Sequence, residues 1–314
     1  MANYKLVDTD QLETDLKTVA DAIREKGGTT EQLAFPDGMA SAVEAIQAGG
    51  GDTRFKGLIE GTNTELYGED VTKIASNAFY NNSTITKAIF PNVESIGQYA
   101  FYQASKLAEI SFPKATTVYS YAFQMASKLV SVSFDSLVHD SNNPEYGFLQ
   151  GCSKLERANF PKLVQLHRSQ FSSCAVLTEI LIPSATILGR DSFSGCRSLV
   201  QLNAPSANNI QKNCFNSCCS LKALLLRNTS KVCYLAYADA FTNCYHYHGT
   251  VDATYNPDGL KDGYIYVPRA LIEDYKVATN WTTLADQFRA LEDYTVDGTT
   301  TGEMDWDKIN GGAS

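Results

Sequence analysis

The sequence predicts an α/β-type repeat solenoid. Units of about 22 residues each add a strand to a short parallel sheet, between a small N-terminal helical module and a C-terminal helical cap. Three observations predict it. Phenylalanine recurs at 79, 101, 123, 148, 171, 193, 215 and 241, in steps of 22 to 26 residues. Most of these are preceded five positions earlier by an apolar residue (Ile74, Ile96, Val118, Leu166, Leu188, Ile210). Others follow by six (Ile85, Leu107, Leu129, Leu177, Leu199, Leu221) and by nine (Ile110, Val132, Ile180, Leu202, Leu224). Two residues further on, an apolar residue often meets proline, as in Phe90-Pro91, Phe112-Pro113, Phe160-Pro161 and Ile182-Pro183. A unit this small cannot bury its own apolar side, so stacking the units makes one continuous core.

Within a unit, Leu107, Ile110 and Phe112 read as a turn leading into a short strand with alternating faces. The solenoid is expected over 52–268. The fourth unit carries an insertion near 136–147, with Gly147 where other units have alanine, and the eighth carries one near 245–262. Insertions in solenoids fall on surface loops, some of which bind.

The ends read differently. Residues 1–48 form a helical attachment or oligomerisation module. Asp10 and Glu13 make a capping box, Leu12, Leu16, Val19 and Ile23 form one stripe, and a second short helix spans 36–47. Gly49–Gly51 is a linker. Residues 269–294 are expected to cap the array through helices over 269–278 and 282–291, because an open end would expose sheet core. Residues 295–314 read as an acidic, flexible tail in which Trp306 is the one anchor.

The 314 residues are 44% apolar and only 19% charged, with net charge −9 and pI about 5.0. The acidity sits at the ends. Residues 1–50 hold 9 acids and 4 bases, residues 295–314 hold 4 acids and 1 base, and residues 51–294 hold 22 acids and 21 bases. A nucleic-acid binder needs a basic face that is absent here. No apolar run reaches the roughly 18 residues of a membrane span. The acidic start, with Asp8, Asp10, Glu13 and Asp15, lacks a secretory signal's basic and apolar regions, so a standard export substrate is not expected.

Cys152, Cys174, Cys196, Cys218 and Cys244 hold one position of successive units, which Asn82, Ala104 and Ala126 hold earlier. Small residues trading with cysteine point to a tight buried slot, with disulfides between rungs as the alternative. Cys244, His246 and His248 are the one metal-like cluster. Alternation on a strand would put them on one face, but without an acidic ligand nearby they read as surface chemistry. His139 and His167 are isolated. No nucleophile elbow, zinc-protease, P-loop or dinucleotide pattern occurs, so no catalytic residue, metal or cofactor is assigned and a non-enzyme is expected.

Recognition remains. Between the apolar strand positions, Lys87, Glu109, Ser111, Ser131, Ser133, Arg157, Asn159, Glu179, Gln201 and Asn203 should point outward. Tyr80, Tyr99, Tyr102, Tyr119 and Tyr121 cluster near the phenylalanine turn. They suit sugars or protein interfaces, unless they pack sideways between neighbouring turns.

The pattern Ile-x-x-x-Ala-Phe-x5-Leu-x-x-Ile-x-Phe-Pro, clearest from Ile96 to Pro113, resembles the BspA-like leucine-rich repeat family, closely over 71–230 and in outline to 294. The resemblance implies fold more than function, since such repeats occur in many surface and adhesion proteins. Tyr4-Lys-Leu-Val-Asp8, Ala22-Ile-Arg-Glu-Lys-Gly-Gly28 and Phe35-Pro-Asp-Gly38 resemble the N-termini of tail-associated proteins of phages and prophages of Gram-positive gut bacteria. That resemblance implies a virion protein, made in the host cytoplasm, that contacts other tail or baseplate proteins through residues 1–50. It would form a homo-oligomer, a trimer among the candidates, and bind a host cell-surface glycan or protein through its repeats. The rival expectation is an extracellular cell-surface adhesin of the repeat family.

Overall fold

The structure, a computed structural model, describes residues 64–69, 71–138 and 146–309. The N-terminal module with Leu12, Leu16, Val19 and Ile23, the Gly49–Gly51 linker and His139 lie outside the described residues.

Each unit runs along three sides. The first carries strands Glu65–Tyr67 (β1), Lys87–Ile89 (β3), Glu109–Ser111 (β5), Ser131–Ser133 (β7), Arg157–Asn159 (β8), Glu179–Leu181 (β10), Gln201–Asn203 (β12), Ala223–Leu225 (β14), Tyr264–Val267 (β16) and Phe288–Ala290 (β17). The second carries two-residue strands: Lys73–Ile74 (β2), Ser95–Ile96 (β4), Thr117–Val118 (β6), Gln165–Leu166 (β9), Ile187–Leu188 (β11), Asn209–Ile210 (β13) and Tyr234–Leu235 (β15). All pairings between these strands are parallel and in register from unit to unit, as in Lys87 with Glu109 and Ile96 with Val118. The expectation of one strand per unit missed the second set, because a two-residue strand is too short to show alternation. On the first side the ladder lapses twice, leaving separate sheets β1-β3-β5, β7-β8-β10 and β12-β14-β16-β17.

The third side is built of overlapping turns around the phenylalanine. Asn77, Phe79 and Asn81 donate their N–H groups to Gln98, Ala100 and Tyr102 of the next unit, while Ala78, Tyr80 and Asn82 donate back to residues three earlier. This alternation needs left-handed backbone two residues before and two after the phenylalanine. The positive φ values follow it at 77 and 81, 99 and 103, 121 and 125, 169 and 173, 191 and 195, and 213 and 217.

The core is one run of side chains. Phe79, Phe101 and Phe123 stack at 4.9 and 5.1 Å, and Phe171, Phe193 and Phe215 at 5.5 and 5.7 Å. Phe90, Phe112, Phe134 and Phe160 form a second column at 5.7 to 6.3 Å. Phe148 breaks the first column and meets Phe123 edge-on at 6.4 Å. The hydrogen bonds show why. Phe123 donates to the Phe148 carbonyl where other units use the residue before their phenylalanine, and the thiol of Cys174 reaches the Leu149 carbonyl where Cys196 reaches Phe171. Leu149 therefore fills the phenylalanine slot of the fourth unit, and aligning the repeat on Phe148 was one residue out. From Leu149 to Phe171 the step is then the regular 22.

Gly147 is forced by this irregularity, since a Cβ there would sit 2.3 Å from the Gln170 Cα. Gln170 is itself fully buried, and neither polar atom of its side chain has a partner among the described residues. Its slot holds Ala78, Ala100 and Ala122 in other units. Gln170→Leu keeps the volume and removes the orphaned amide, so urea denaturation should show a gain of about 1 kcal/mol or more; a loss of stability would mean the amide is bonded in solution.

The C-terminal end departs from expectation in two ways. Arg269–Leu271 is a 3-10 turn and Ile272–Val277 a helix, but Thr282–Gln287 is 3-10 and residues 288–290 join the sheet as β17. Phe288 and Ala290 face inward and Arg289 outward, a period of two inside a stretch that reads as helical. The cap is held by side chains that take up the last turn's free backbone groups. Trp281 Nε1 donates to the Cys233 carbonyl at 2.8 Å, and the Cys233 N–H donates to the Tyr275 hydroxyl at 2.9 Å. The second correction concerns the tail. Residues 295–309 fold back over the outer surface of the last sheet. Met304 and Leu291 are buried against Ala223, Leu225 and Tyr266, flanked by Tyr264, Tyr294, Trp306 and Ile309. The Arg227 guanidinium donates to the Thr300 carbonyl, and Thr295 bridges to Met304. The outer surface of β14 and β16 is apolar, so leaving it bare would be costly.

Candidate functional site

The ten strand residues expected to point outward do so: Glu109, Ser131, Ser133, Arg157, Glu179, Gln201 and Asn203 are exposed, and Lys87, Ser111 and Asn159 half-buried. Register within each sheet, continued by the repeat across the two lapses, sets them in two rows. One runs Lys87, Glu109, Ser131, Arg157, Glu179 and Gln201; the other runs Ser111, Ser133, Asn159, Leu181 and Asn203. Lys87 and Glu109 are joined at 2.8 Å, and Arg157 lies 3.4 Å from Glu156. Both pairs lie at the surface and contribute little to stability.

Six of the ten gather in one groove of about 560 Å³ over β5, β7, β8 and β10: Ser111, Ser131, Ser133, Arg157, Asn159 and Glu179. It straddles the gap between β5 and β7, where the ladder lapses and three of the four outward residues, Ser111, Ser131 and Ser133, are serines. Its base is apolar, with Ile110, Val132, Ala158 and Ile180. On one wall the Asn159 amide donates to Ser133 Oγ at 2.9 Å and to Asp135 at 3.3 Å, and Ser133 donates to Asp135 at 2.7 Å. Asn159 Oδ1 is shielded from solvent and has no partner among the described residues. The groove thus offers hydroxyls, carboxylates and one guanidinium above an apolar base, a set suited to hydrogen bonding and without an evident nucleophile–base pair. Lys87, Glu109, Gln201 and Asn203 lie outside it. Asp135 and Leu181 were missed, though both left a signal. Asp135 follows Phe134 where most units have proline, and Leu181 is apolar at an outward position.

The tyrosines lie elsewhere, on the turn side. Tyr80 stacks on Tyr102 at 5.0 Å and 8° and Tyr99 on Tyr121 at 5.0 Å and 10°, while Tyr146 tilts against Tyr121 at 5.0 Å and 30°. The Arg168 guanidinium stands 4.9 Å from the Tyr146 ring. Tyr119 stands outside these stacks. The rings thus spend their faces on one another and present edges and hydroxyls. Burial, with Tyr146 beside it, pushes the Tyr121 phenol up to about 12. Tyr99 and Tyr121 hold left-handed backbone, with φ of 57° and 64°, where other units have Asn77, Ser169, Asp191 and Asn213. That conformation costs a bulky residue about 1–2 kcal/mol, and a stacked pair returns about 0.5–1.5 kcal/mol.

The cysteine column is a packing device. Cys152, Cys174, Cys196, Cys218 and Cys244 are fully buried and free, and each thiol donates to a carbonyl of the preceding unit at 2.9 to 3.3 Å. Burial pushes Cys152 up to about 12 and raises the others. Thiols in the unfolded chain ionise near 9.0, so stability should be intact below pH 9 and fall as pH climbs towards 12. A thiol reagent at pH 8 should react with native protein only at the rate of unfolding; rapid labelling of any of these five would contradict their burial.

Cys244, His246 and His248 do not share a strand face, because Tyr245–His248 is a short helix (α1). Their partners diverge: Cys244 reaches the Phe215 carbonyl, His246 Nδ1 lies 2.5 Å from Asp262, and His248 Nε2 lies 3.1 Å from the Phe241 carbonyl. Burial works against the Asp262 carboxylate, but hydrogen bonds from Lys222 and His246 hold it below its ordinary range. Among the described residues no three His, Cys, Asp or Glu side chains are grouped to hold a metal. The rest of the insertion is ordered around buried Asn256, whose amide donates to the carbonyls of Tyr245, Thr250 and Leu260.

Parallel strands in register, a phenylalanine column and regular turns define a leucine-rich-repeat solenoid. The chain belongs to the BspA-type leucine-rich repeat family: the model of that repeat region matches in six copies, over residues 51–143, 72–187 and 164–249. Solved structures with similar folds include a leucine-rich repeat protein from Bacteroides ovatus (18% identity, 72% of this chain and 66% of that one, TM-score 0.43). Others are a leucine-rich repeat protein from T. pallidum (24% identity, 44% and 75%, TM-score 0.30) and a leucine-rich cell surface protein from Faecalibacterium prausnitzii (14% identity, 58% and 86%, TM-score 0.23). The chain spans just under two thirds of the Bacteroides protein. No curated protein matches it.

Proposed function

We propose that this chain is a non-enzymatic recognition protein whose groove over β5, β7, β8 and β10 binds a glycan or protein of a cell surface. The observation that carries this reading is the convergence of hydrogen-bonding side chains from four successive units in one groove with an apolar base. Membership of the BspA-type family supports the adhesin form of the reading. Display on a phage or prophage tail rests on the wording of residues 1–50, and in that form deleting them should prevent entry into virions. Several copies on one surface would strengthen weak single sites. Labelled full-length protein should adhere to Gram-positive cells and their isolated envelopes. The double change Arg157→Ala with Asn159→Ala should weaken adherence at least tenfold while leaving the melting curve in place. Undiminished adherence of that variant would remove the groove from the reading.

A further inference from the structure

The turn side of the first four units differs from that of the later ones. Positions 77–81, 99–103, 121–125 and 146–151 contain no Asp, Glu, Lys, Arg or His. Tyrosine and glutamine dominate their outward positions, and Met125 is exposed. At the matching positions of the next three units stand Ser169, Ser172, Asp191, Ser194, Asn213 and Asn216. Backbone cost and stacking gain nearly cancel for Tyr99 and Tyr121, so stability gives no reason to prefer tyrosine over the asparagine that Asn77 and Asn213 supply. What the tyrosines add is a regular array. Rings repeat at 5.0 Å along two lines, and the Gln124 amide donates to Gln150 at 2.8 Å in continuation of the Tyr80–Tyr102 line.

We propose that this strip binds a neutral, linear polysaccharide lying along the solenoid axis, its repeating hydroxyls meeting the repeating phenol and amide edges. Three features select that occupant. Residues 77–81, 99–103, 121–125 and 146–151 carry no charge, and the Arg168 guanidinium beside Tyr146 stands 3.9 Å from Asp191, so the strip gives little attraction to an ionic polymer. Ring faces spent on each other leave little to bury in a protein pocket, which is how aromatic anchors act at protein interfaces. A periodic array also fits a periodic ligand. The inference rests on the chain being a surface-recognition protein, but not on the groove being its site.

Affinity electrophoresis of the full chain through gels containing hydroxyethyl cellulose, a linear mannan or glycol chitin, with polygalacturonate as the anionic control, tests it. Retardation is expected in at least one neutral polymer and not in polygalacturonate. Tyr99→Asn with Tyr121→Asn should weaken it at least tenfold at an unchanged or higher melting temperature. Tyr99→Phe with Tyr121→Phe, which keeps the stack and removes only hydroxyls, should also weaken it. The groove variant Arg157→Ala with Asn159→Ala should migrate like the parent. If the groove variant alone loses retardation, the polysaccharide belongs to the groove and the strip proposal is overturned, while the recognition reading stands. No retardation in any neutral polymer also overturns it.

Discussion

Phe123→Ala is expected to cost about 3–5 kcal/mol, the range for removing a buried aromatic ring. Phe123 is fully buried and central: it stacks on Phe101 at 5.1 Å, tilts against Phe112 and Phe134 at 6.0 Å, and meets Phe148 edge-on. It is the last regular ring before the fourth unit interrupts the first column, so across this junction only the second column, through Phe134 and Phe160, stays stacked. In a repeat protein each unit is stabilised chiefly by its neighbours. Loss at this junction should therefore lower the urea midpoint and split the transition in two when followed by circular dichroism. Phe79→Ala is the comparison, since Phe79 stacks on Phe101 alone among the described rings. A Phe123 effect no larger than that of Phe79, or a single unbroken transition, would count against Phe123 as the coupling between the first units and the rest.

Ending the chain at Asp293 should have the second large effect. It removes Met304, Trp306 and Ile309 from the last sheet and bares Ala223, Leu225 and Tyr266. Met304 alone represents about 2 kcal/mol of burial, and the Arg227 guanidinium loses the Thr300 carbonyl. The truncated chain should melt lower, bind an apolar dye and self-associate on a sizing column with light scattering, because an uncovered apolar sheet surface recruits a substitute. A monomer with an unchanged melting curve would show that the segment contributes nothing to the fold.

Much of this was legible because the repeat enforces it. Every unit must supply the same inward residues, so Ile110, Val132, Ile180 and Leu202 disclosed the strand face and, by exclusion, the outward rows. The cysteine column was legible for the same reason, since Ala104 and Ala126 trade with it in one slot. What stayed hidden depends on backbone geometry that side-chain type does not report. Left-handed positions are expected of glycine, asparagine and aspartate, yet Tyr99, Gln103, Tyr121 and Met125 hold them because inter-unit hydrogen bonds dictate the alternation. The phenylalanine of the fourth unit misled because Phe148 and Leu149 are adjacent and both apolar; only the hydrogen-bond register separates them. The acidic tail looked free because its composition is polar, while three scattered residues, Met304, Trp306 and Ile309, hold it down. The groove was half legible: its residues followed from the register, but their convergence came from a lapse in the ladder that no residue type announces.

The folded-back segment also sets a measure. Of the long strand side, seven described strands from β1 to β12 remain open, and beyond them the surface is occupied by the chain itself. Strands lie about 4.8 Å apart, so the open length is about 30 Å. The segment therefore acts as a stop on a ruler: a ligand of the groove that ran on along the strand side would meet the folded-back chain beyond β12. A longer tract on this side would have to be met by several molecules standing side by side, where weak single contacts add up.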